Sequence, residues 1–210
     1  MKVKSLFYLI LLIIAAMLAA GCASVQNETP APSAPSQDAA APDISDAIHI
    51  QIEVRDYGTI QADLYPHVAP VTVDNFVSLI NEGFYNGLTF HRVIESFMIQ
   101  GGDPLGNGRG GSDESITGEF SNNGFENMLS HGPGVLSMAR AGNDNDSASS
   151  QFFIVHTDAA FLDGDYAAFG MVTKGMDVID AIAENTPVED ENGTVLSENQ
   201  PVIESIIVIE

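Results

Sequence analysis

Two short stretches of this chain combine residue types that seldom meet without a chemical reason. In FHRVIESFMIQGGDP, residues 90–104, Arg92 stands inside an otherwise apolar, strand-like run. A guanidinium stays charged at any ordinary pH, so at such a position it must either pair with a carboxylate or face a ligand. Successive side chains of a strand point to opposite faces. Met98 and Gln100 therefore share one face, with Ile99 on the other. GVLSMARAG, residues 134–142, is followed at a distance by SQFFI, residues 150–154, in which Gln151 and Phe153 share a face opposite to Phe152 and Ile154. Each strand thus offers one large apolar residue beside one amide. Met98, Phe153, Gln100, Gln151 and Arg92 together would line a small apolar pocket with a few convergent polar groups. The same residues also fit a plainer arrangement, with Met98 and Phe153 in the core and Arg92 in a surface ion pair.

Other chemistries lack their parts. Gly106-x-Gly108-x-x-Gly111 has the letters of a dinucleotide loop, but Ser-Asp-Glu-Ser and Thr117-Gly118 follow it where a helix should open, so it reads as a loop. Asn143 to Asp146 lacks the Gly and distal Glu of a calcium loop. His49, His67, His91, His131 and His156 never reach metal-ligand spacing, and there is no Gly-x-Ser-x-Gly elbow. No cofactor and no metal are expected. With 29 acidic residues against 7 basic ones and a formal charge of −22, a nucleic-acid partner is not expected either.

The elements that must position these residues follow from periodicity. Ile48, Ile50, Ile52 and Val54 alternate with polar residues, Asp56-Tyr57-Gly58 turns, and Thr59 to Tyr65 returns, which predicts a hairpin. Val73, Phe76, Val77 and Ile80 lie at helical spacing before Gly83. Strand-like runs follow at 88–94, 97–101, 134–138, 152–155 and 167–173, a second helix at 175–184, and a closing strand at 202–209 that pairs with the first. Many short strands with two helices predict an antiparallel barrel or sandwich.

The front of the chain reads differently. Lys2 and Lys4 precede an uncharged run from Leu6 to Ala20, and small residues lead to Cys22. Residues 1–21 are expected to be a signal peptide, being too short a run to span a membrane. The Leu-Ala-Ala-Gly-Cys ending resembles the lipobox of prokaryotic lipoproteins, which makes Cys22 the expected lipidation site. Residues 22–45 are rich in Ala, Pro and Ser and read as a disordered linker. Residues 46–210 form the expected folded domain, giving a membrane-anchored, exported protein.

Residues 90–104, 134–142, 150–154 and Leu162-Asp163-Gly164 resemble the signature blocks of the cyclophilin family of peptidyl-prolyl isomerases. Asn86-Gly87, Gly110-Gly111, His131-Gly132-Pro133-Gly134 and Phe169-Gly170 fall in the same order, so the similarity spans nearly all of 48–209. The resemblance implies a closed eight-stranded antiparallel β-barrel capped by two α-helices. It implies a catalytic role for Arg92 with Gln100, and a proline pocket of Phe97, Met98, Phe153 and Leu162. It further implies substrate contacts from Gln151 and the backbone of Ala139 and Arg140, and a rim of Phe161 and Tyr166 where many eukaryotic members carry Trp and His. The implied activity is rotation about X-Pro bonds in exported proteins through a twisted amide, without a covalent intermediate, by a monomer that aids folding. The implied partners are proline-containing polypeptides, and the membrane through Cys22. The competing class is a non-catalytic module or chaperone that holds Pro-containing segments. A solute-capturing lipoprotein would need two larger lobes than the domain provides.

Overall fold

The computed structural model describes residues 46–210. The expected signal peptide, Cys22 and linker lie outside the described residues. The elements are β1 (Ile48–Val54), β2 (Gly58–Leu64), α1 (Pro70–Asn81), β3 (Phe90–Ile94), β4 (Met98–Gly101), β5 (Val135–Met138), β6 (Phe152–Val155), β7 (Ala168–Lys174), α2 (Met176–Asn185) and β8 (Ile203–Val208). The expected strands and helices are present with ends shifted by a few residues. The expected strand at 97 begins one residue later, because Ser96 at φ 61° and the Phe97 N–H to Ile94 carbonyl bond close a tight turn before Met98.

All eight strands join one antiparallel sheet in the order β3-β4-β6-β5-β7-β2-β1-β8. β8 pairs with β1, as expected for the closing strand. Closure itself is corrected. The sheet curls into an open half-barrel, and no ladder joins its edges β3 and β8. The reason lies in what occupies the outer edge of β3. Val93 N–H donates to the Gly193 carbonyl, Val195 N–H donates to the His91 carbonyl, and Arg92 bridges to Thr194. A loop thus takes the hydrogen-bonding positions a closing strand would need. β8 meets this edge only at its start, through the Thr89–Val202 bridge and the Ile203 N–H to Leu88 carbonyl bond.

The strand pleat sorts side chains into two apolar clusters. Phe152 and Ile154 point into the main core, where the Phe76 ring lies 5.2 Å from Phe152 and 5.0 Å from Phe169. Phe153 and Val155 point the other way, into a smaller cluster with Met98, Val135, Ala159, Leu162 and Ala168. Burying aromatic and aliphatic faces on both sides of β6 fixes its register, since a one-residue slip would exchange the two sets.

Helix α1 buries Val73, Phe76, Leu79 and Ile80 and ends in a Schellman turn at Gly83, with Phe84 N–H bonded to the Leu79 carbonyl. Its start has no side-chain cap of its own, since Ala69 precedes Pro70. Glu119, only 1% exposed, supplies the cap from afar. Its carboxylate accepts the Val71 and Thr72 N–H groups at 3.0 and 2.8 Å and the Thr72 hydroxyl at 2.7 Å. These are the orphan donors of a first helical turn, and an anion suits that end of the dipole. Glu119→Ala should cost about 2 kcal/mol of stability by stranding buried donors, with Glu119→Gln recovering part of it. Urea unfolding of the three proteins checks this, and an unchanged midpoint in Glu119→Ala would refute the cap.

Candidate active site

Cross-strand register brings the polar residues singled out in sequence onto one face. Arg92 on β3 lies opposite Gln100 on β4, and Gln100 lies opposite Phe153 on β6. Arg92 Nη1 donates to Gln100 Oε1 at 3.1 Å and lies 3.8 Å from the Met98 sulfur. Gln100 Nε2 donates to Gln151 Oε1 at 2.9 Å, and Gln151 Nε2 donates to the Gly110 carbonyl at 2.7 Å. One chain of bonds therefore fixes both amide orientations from the guanidinium to the 103–110 loop. The surface ion pair expected under the plainer arrangement is absent: no described carboxylate lies within salt-bridge distance of Arg92.

A cavity of about 340 Å³ opens beside this row, lined by Arg92, Phe97, Met98, Gln100, Ala139, Arg140, Phe153, Phe161, Leu162 and Tyr166. Every candidate residue of the described part reaches it except Gln151. That residue lines an adjoining cavity of about 230 Å³, to which Gln100, Ala139 and Arg140 also belong. Met98, Phe153 and Leu162 form the buried apolar wall of the larger cavity, while Phe161, 72% exposed, stands on its rim with its ring 5.5 Å from Phe97. Arg140 packs its guanidinium over the Tyr166 and Phe120 rings at 4.9 and 5.2 Å and donates through Nε to the Asp165 carbonyl. Its side chain thus braces the rim.

Three supports of this site escaped the sequence. Arg92 Nε donates to the Asn192 carbonyl at 2.8 Å. The loop offering that carbonyl is tied by Asp190, whose carboxylate accepts N–H bonds from Asn192 and Thr194 and the Thr194 hydroxyl. Gly193 sits at φ +77° with the Val93 carbonyl where a Cβ would go, so only glycine fits against β3 there. Arg109 lines the adjoining cavity from the Gly106–Gly111 loop. His131 stacks on Phe153 at 6.0 Å and 18°, with Nδ1 2.7 Å from Asp163 and Nε2 2.9 Å from the Ser137 hydroxyl. No local pattern links residues 92 and 192 or 131 and 153. Only the Asp190-x-Asn192-Gly193 turn composition hinted at a tight loop.

Residues 49–208 match the family model described as cyclophilin type peptidyl-prolyl cis-trans isomerase/CLD. The chain belongs to the cyclophilin family. Among cyclophilin relatives, it is 46% identical over 145 residues to peptidyl-prolyl cis-trans isomerase B of Bacillus subtilis, covering 69% of this chain and 92% of that one. It is 43% identical over 134 residues to the peptidyl-prolyl cis-trans isomerase of Helicobacter pylori, covering 63% and 78%. A crystal structure of a Cryptosporidium parvum cyclophilin, determined in the presence of the dipeptide Ala-Pro, superposes with a TM-score of 0.68 at 29% identity over 77% of this chain and 99% of that one. This cyclophilin is therefore an enzyme of the peptidyl-prolyl cis-trans isomerase class.

The electrostatics of the site depend on burial. Burial pulls the Arg92 pKa down, opposed by Tyr166 and Asp190, and the group remains a cation at working pH. Burial likewise lowers His91, on the opposite face of β3, with Asp103 opposing and Arg92 reinforcing the shift. His131 is lowered by burial too, against the pull of Asp163. Asp163 itself is pushed up by burial but held low by bonds from Ser130 and His131. The unfolded chain takes up its histidine protons near pH 6.5, whereas these two folded imidazoles resist until lower pH. Stability is therefore complete above that value and falls as pH drops through the window below it. Urea unfolding at a series of pH values should show this fall, and His131→Gln should flatten it. A wild-type stability that stays level between about pH 6.5 and 5 would refute the assignment.

Proposed function

We propose that this cyclophilin accelerates rotation about X-Pro peptide bonds of exported proteins, with Arg92 as the catalytic group. The observation that carries the reading is a guanidinium set beside an apolar cavity with only neutral acceptors. Nε is engaged by the Asn192 carbonyl and Nη1 by the Gln100 amide. Nη2 has no partner among the described residues.

The peptide C–N bond owes its roughly 18–20 kcal/mol barrier to resonance, and an X-Pro bond left alone turns over in tens of seconds or more. Rotation needs no nucleophile, metal or proton transfer. It needs a site that binds the twisted amide more tightly than either planar form. As resonance is lost the proline nitrogen regains its lone pair, and a fixed guanidinium N–H directed there favours the twisted state selectively. Phe97, Met98, Phe153 and Leu162 grip the ring, Gln100 and Gln151 hold amide groups of the substrate, and the Ala139–Arg140 backbone aligns the strand on either side. Neutral acceptors are the right partners for Arg92, because a carboxylate would quench the charge before the substrate arrived.

Residues 1–21 act as an export signal in this reading, and lipidated Cys22 with the linker to residue 45 holds a monomeric domain at the membrane, where it aids folding of its clients. The Leu-Ala-Ala-Gly-Cys ending supports this. Cys22→Ser should move the protein from the membrane fraction to the soluble one, and an unchanged distribution would refute lipid anchoring.

Isomerisation of a short Ala-Pro peptide by the full chain tests the chemistry. Arg92→Ala should keep the fold and lose about 100-fold or more in kcat/KM, the scale of one lost electrostatic donor. Arg92→Lys should fail to restore it, since an ammonium cannot span Asn192, Gln100 and the substrate together. Full activity in Arg92→Ala would refute the role, and a folded but inactive wild type would leave a module that only holds Pro-containing segments.

A further inference from the structure

The basic residues of the described part are Arg55, Arg92, Arg109, Arg140 and Lys174. Three of these five line the two adjoining cavities of the active site. On a chain of formal charge −22 this is a marked segregation. No carboxylate lines either cavity, whereas the cavity beside α1 is lined by Glu82, Asp113 and Glu114 and the one beside α2 by four carboxylates. Arg55, away from the site, is paired with Glu204 at 3.0 Å. Among the described residues no carboxylate lies within salt-bridge distance of Arg92, Arg109 or Arg140.

Acids on the loops that contribute to the smaller cavity are engaged in hydrogen bonds of their own. The Asp103 carboxylate accepts backbone N–H bonds from Leu105, Asn107, Gly108 and Arg109. Asp146 accepts from Gly118 and Asn123, and Asp144 from the Asp146 N–H. Arg140 spends its donors on the neutral carbonyls of Asp165 and Ala141. Arg109 makes no side-chain hydrogen bond among the described residues. The cavity lined by both arginines, about 230 Å³, also has serines 147 and 149 in its lining and glycines on either side of Arg109. At Gly110 the Asp103 carboxylate occupies the place a Cβ would take, so a side chain there would displace it.

We infer that this smaller cavity recognises a carboxylate side chain that the substrate carries close to its proline, with Arg109 as the specificity-determining residue. The inference rests on the isomerase reading above and names its preferred substrates: acidic Pro-containing segments. The Arg109 guanidinium, without a side-chain partner among the described residues, attracts such a side chain, and Arg140 adds a second positive charge to the lining of the same polar recess. The smaller cavity shares Gln100, Ala139 and Arg140 with the proline cavity, so one extended peptide reaches both. The net charge of the whole chain repels acidic peptides at long range, so any preference for them must come from local contacts.

The test uses the full chain and short Ala-Pro peptides that differ at one flanking position, carrying Glu, Gln or Lys on either side of the dipeptide. Peptide affinity by NMR titration and turnover by NMR exchange are read together. On the side that meets the cavity, Glu should exceed Gln by about fivefold in affinity and kcat/KM at low salt, with Lys weakest. The difference should sit in KM, with kcat nearly equal. It should shrink near 1 M NaCl, where charges are screened within about 3 Å. Arg109→Gln should bring the Glu peptide down to the Gln peptide, and Arg109→Lys should keep the preference. Equal values for Glu and Gln in the wild type, or a preference unchanged in Arg109→Gln, would overturn the inference while normal turnover of the neutral peptide leaves the isomerase reading intact. Binding without turnover of any peptide would instead sink the isomerase reading, and the affinities alone would then decide the role of Arg109.

Discussion

Arg92 carries a full charge into a position where burial already lowers its pKa, and each acceptor it touches is neutral. A half-buried guanidinium would ordinarily be matched by a carboxylate, because desolvating an unpaired charge is costly. Here the cost is met by carbonyl and amide dipoles, which stabilise the cation without cancelling its field. That choice shapes much of the surrounding structure. Gln100 must present its oxygen to Arg92, so its nitrogen must find an acceptor in Gln151, whose own nitrogen then finds Gly110. The 190–194 loop must offer a carbonyl from outside the sheet, and in doing so it occupies the edge of β3. The open half-barrel and the guanidinium without a carboxylate partner are thus two sides of one arrangement.

Rigidity behind the cavity comes from the second apolar cluster. Phe153 is held between the His131 ring and the Tyr166 edge, while His131 is fixed at both nitrogens by Asp163 and Ser137. A binding wall backed by packed side chains keeps its shape when substrate arrives, so less binding energy goes into ordering the protein. The fixed amide row contributes in the same way, since its donors and acceptors are set in place by bonds within the protein.

Charge is distributed to suit this division of labour. Acidic residues dominate the surface and promote solubility, at the cost of self-repulsion in the compact state. Of the five cations among the described residues, Arg92, Arg109 and Arg140 line the two adjoining cavities. On the opposite face of β3, burial disfavours the charged form of His91 and so works against a second positive charge near Arg92.

Much was legible in the sequence for local reasons. Period-two alternation in Ile48–Val54 and helical spacing in Val73–Ile80 are set by which faces must be buried, and they located strands and helices to within a few residues. The same alternation placed Met98 with Gln100, and Phe153 with Gln151, because pleat direction is a property of the strand itself. The residues alone could not decide between a pocket wall and a core with a surface ion pair. That decision needed cross-strand register, which set Arg92 against Gln100 and kept it from any acid. Closure was misjudged for a related reason: strand count does not show which segment will occupy an edge, and here residues 193–195 took it. Arg109, Asn192 and His131 belong to the site through contacts that span up to 100 residues of chain. The sequence by itself determined the elements, their inward faces and the family resemblance, since these rest on local periodicity and residue type. Only the tertiary structure decided which charges went unpaired and which loop sealed the sheet edge, because both depend on what distant segments bring to the same place.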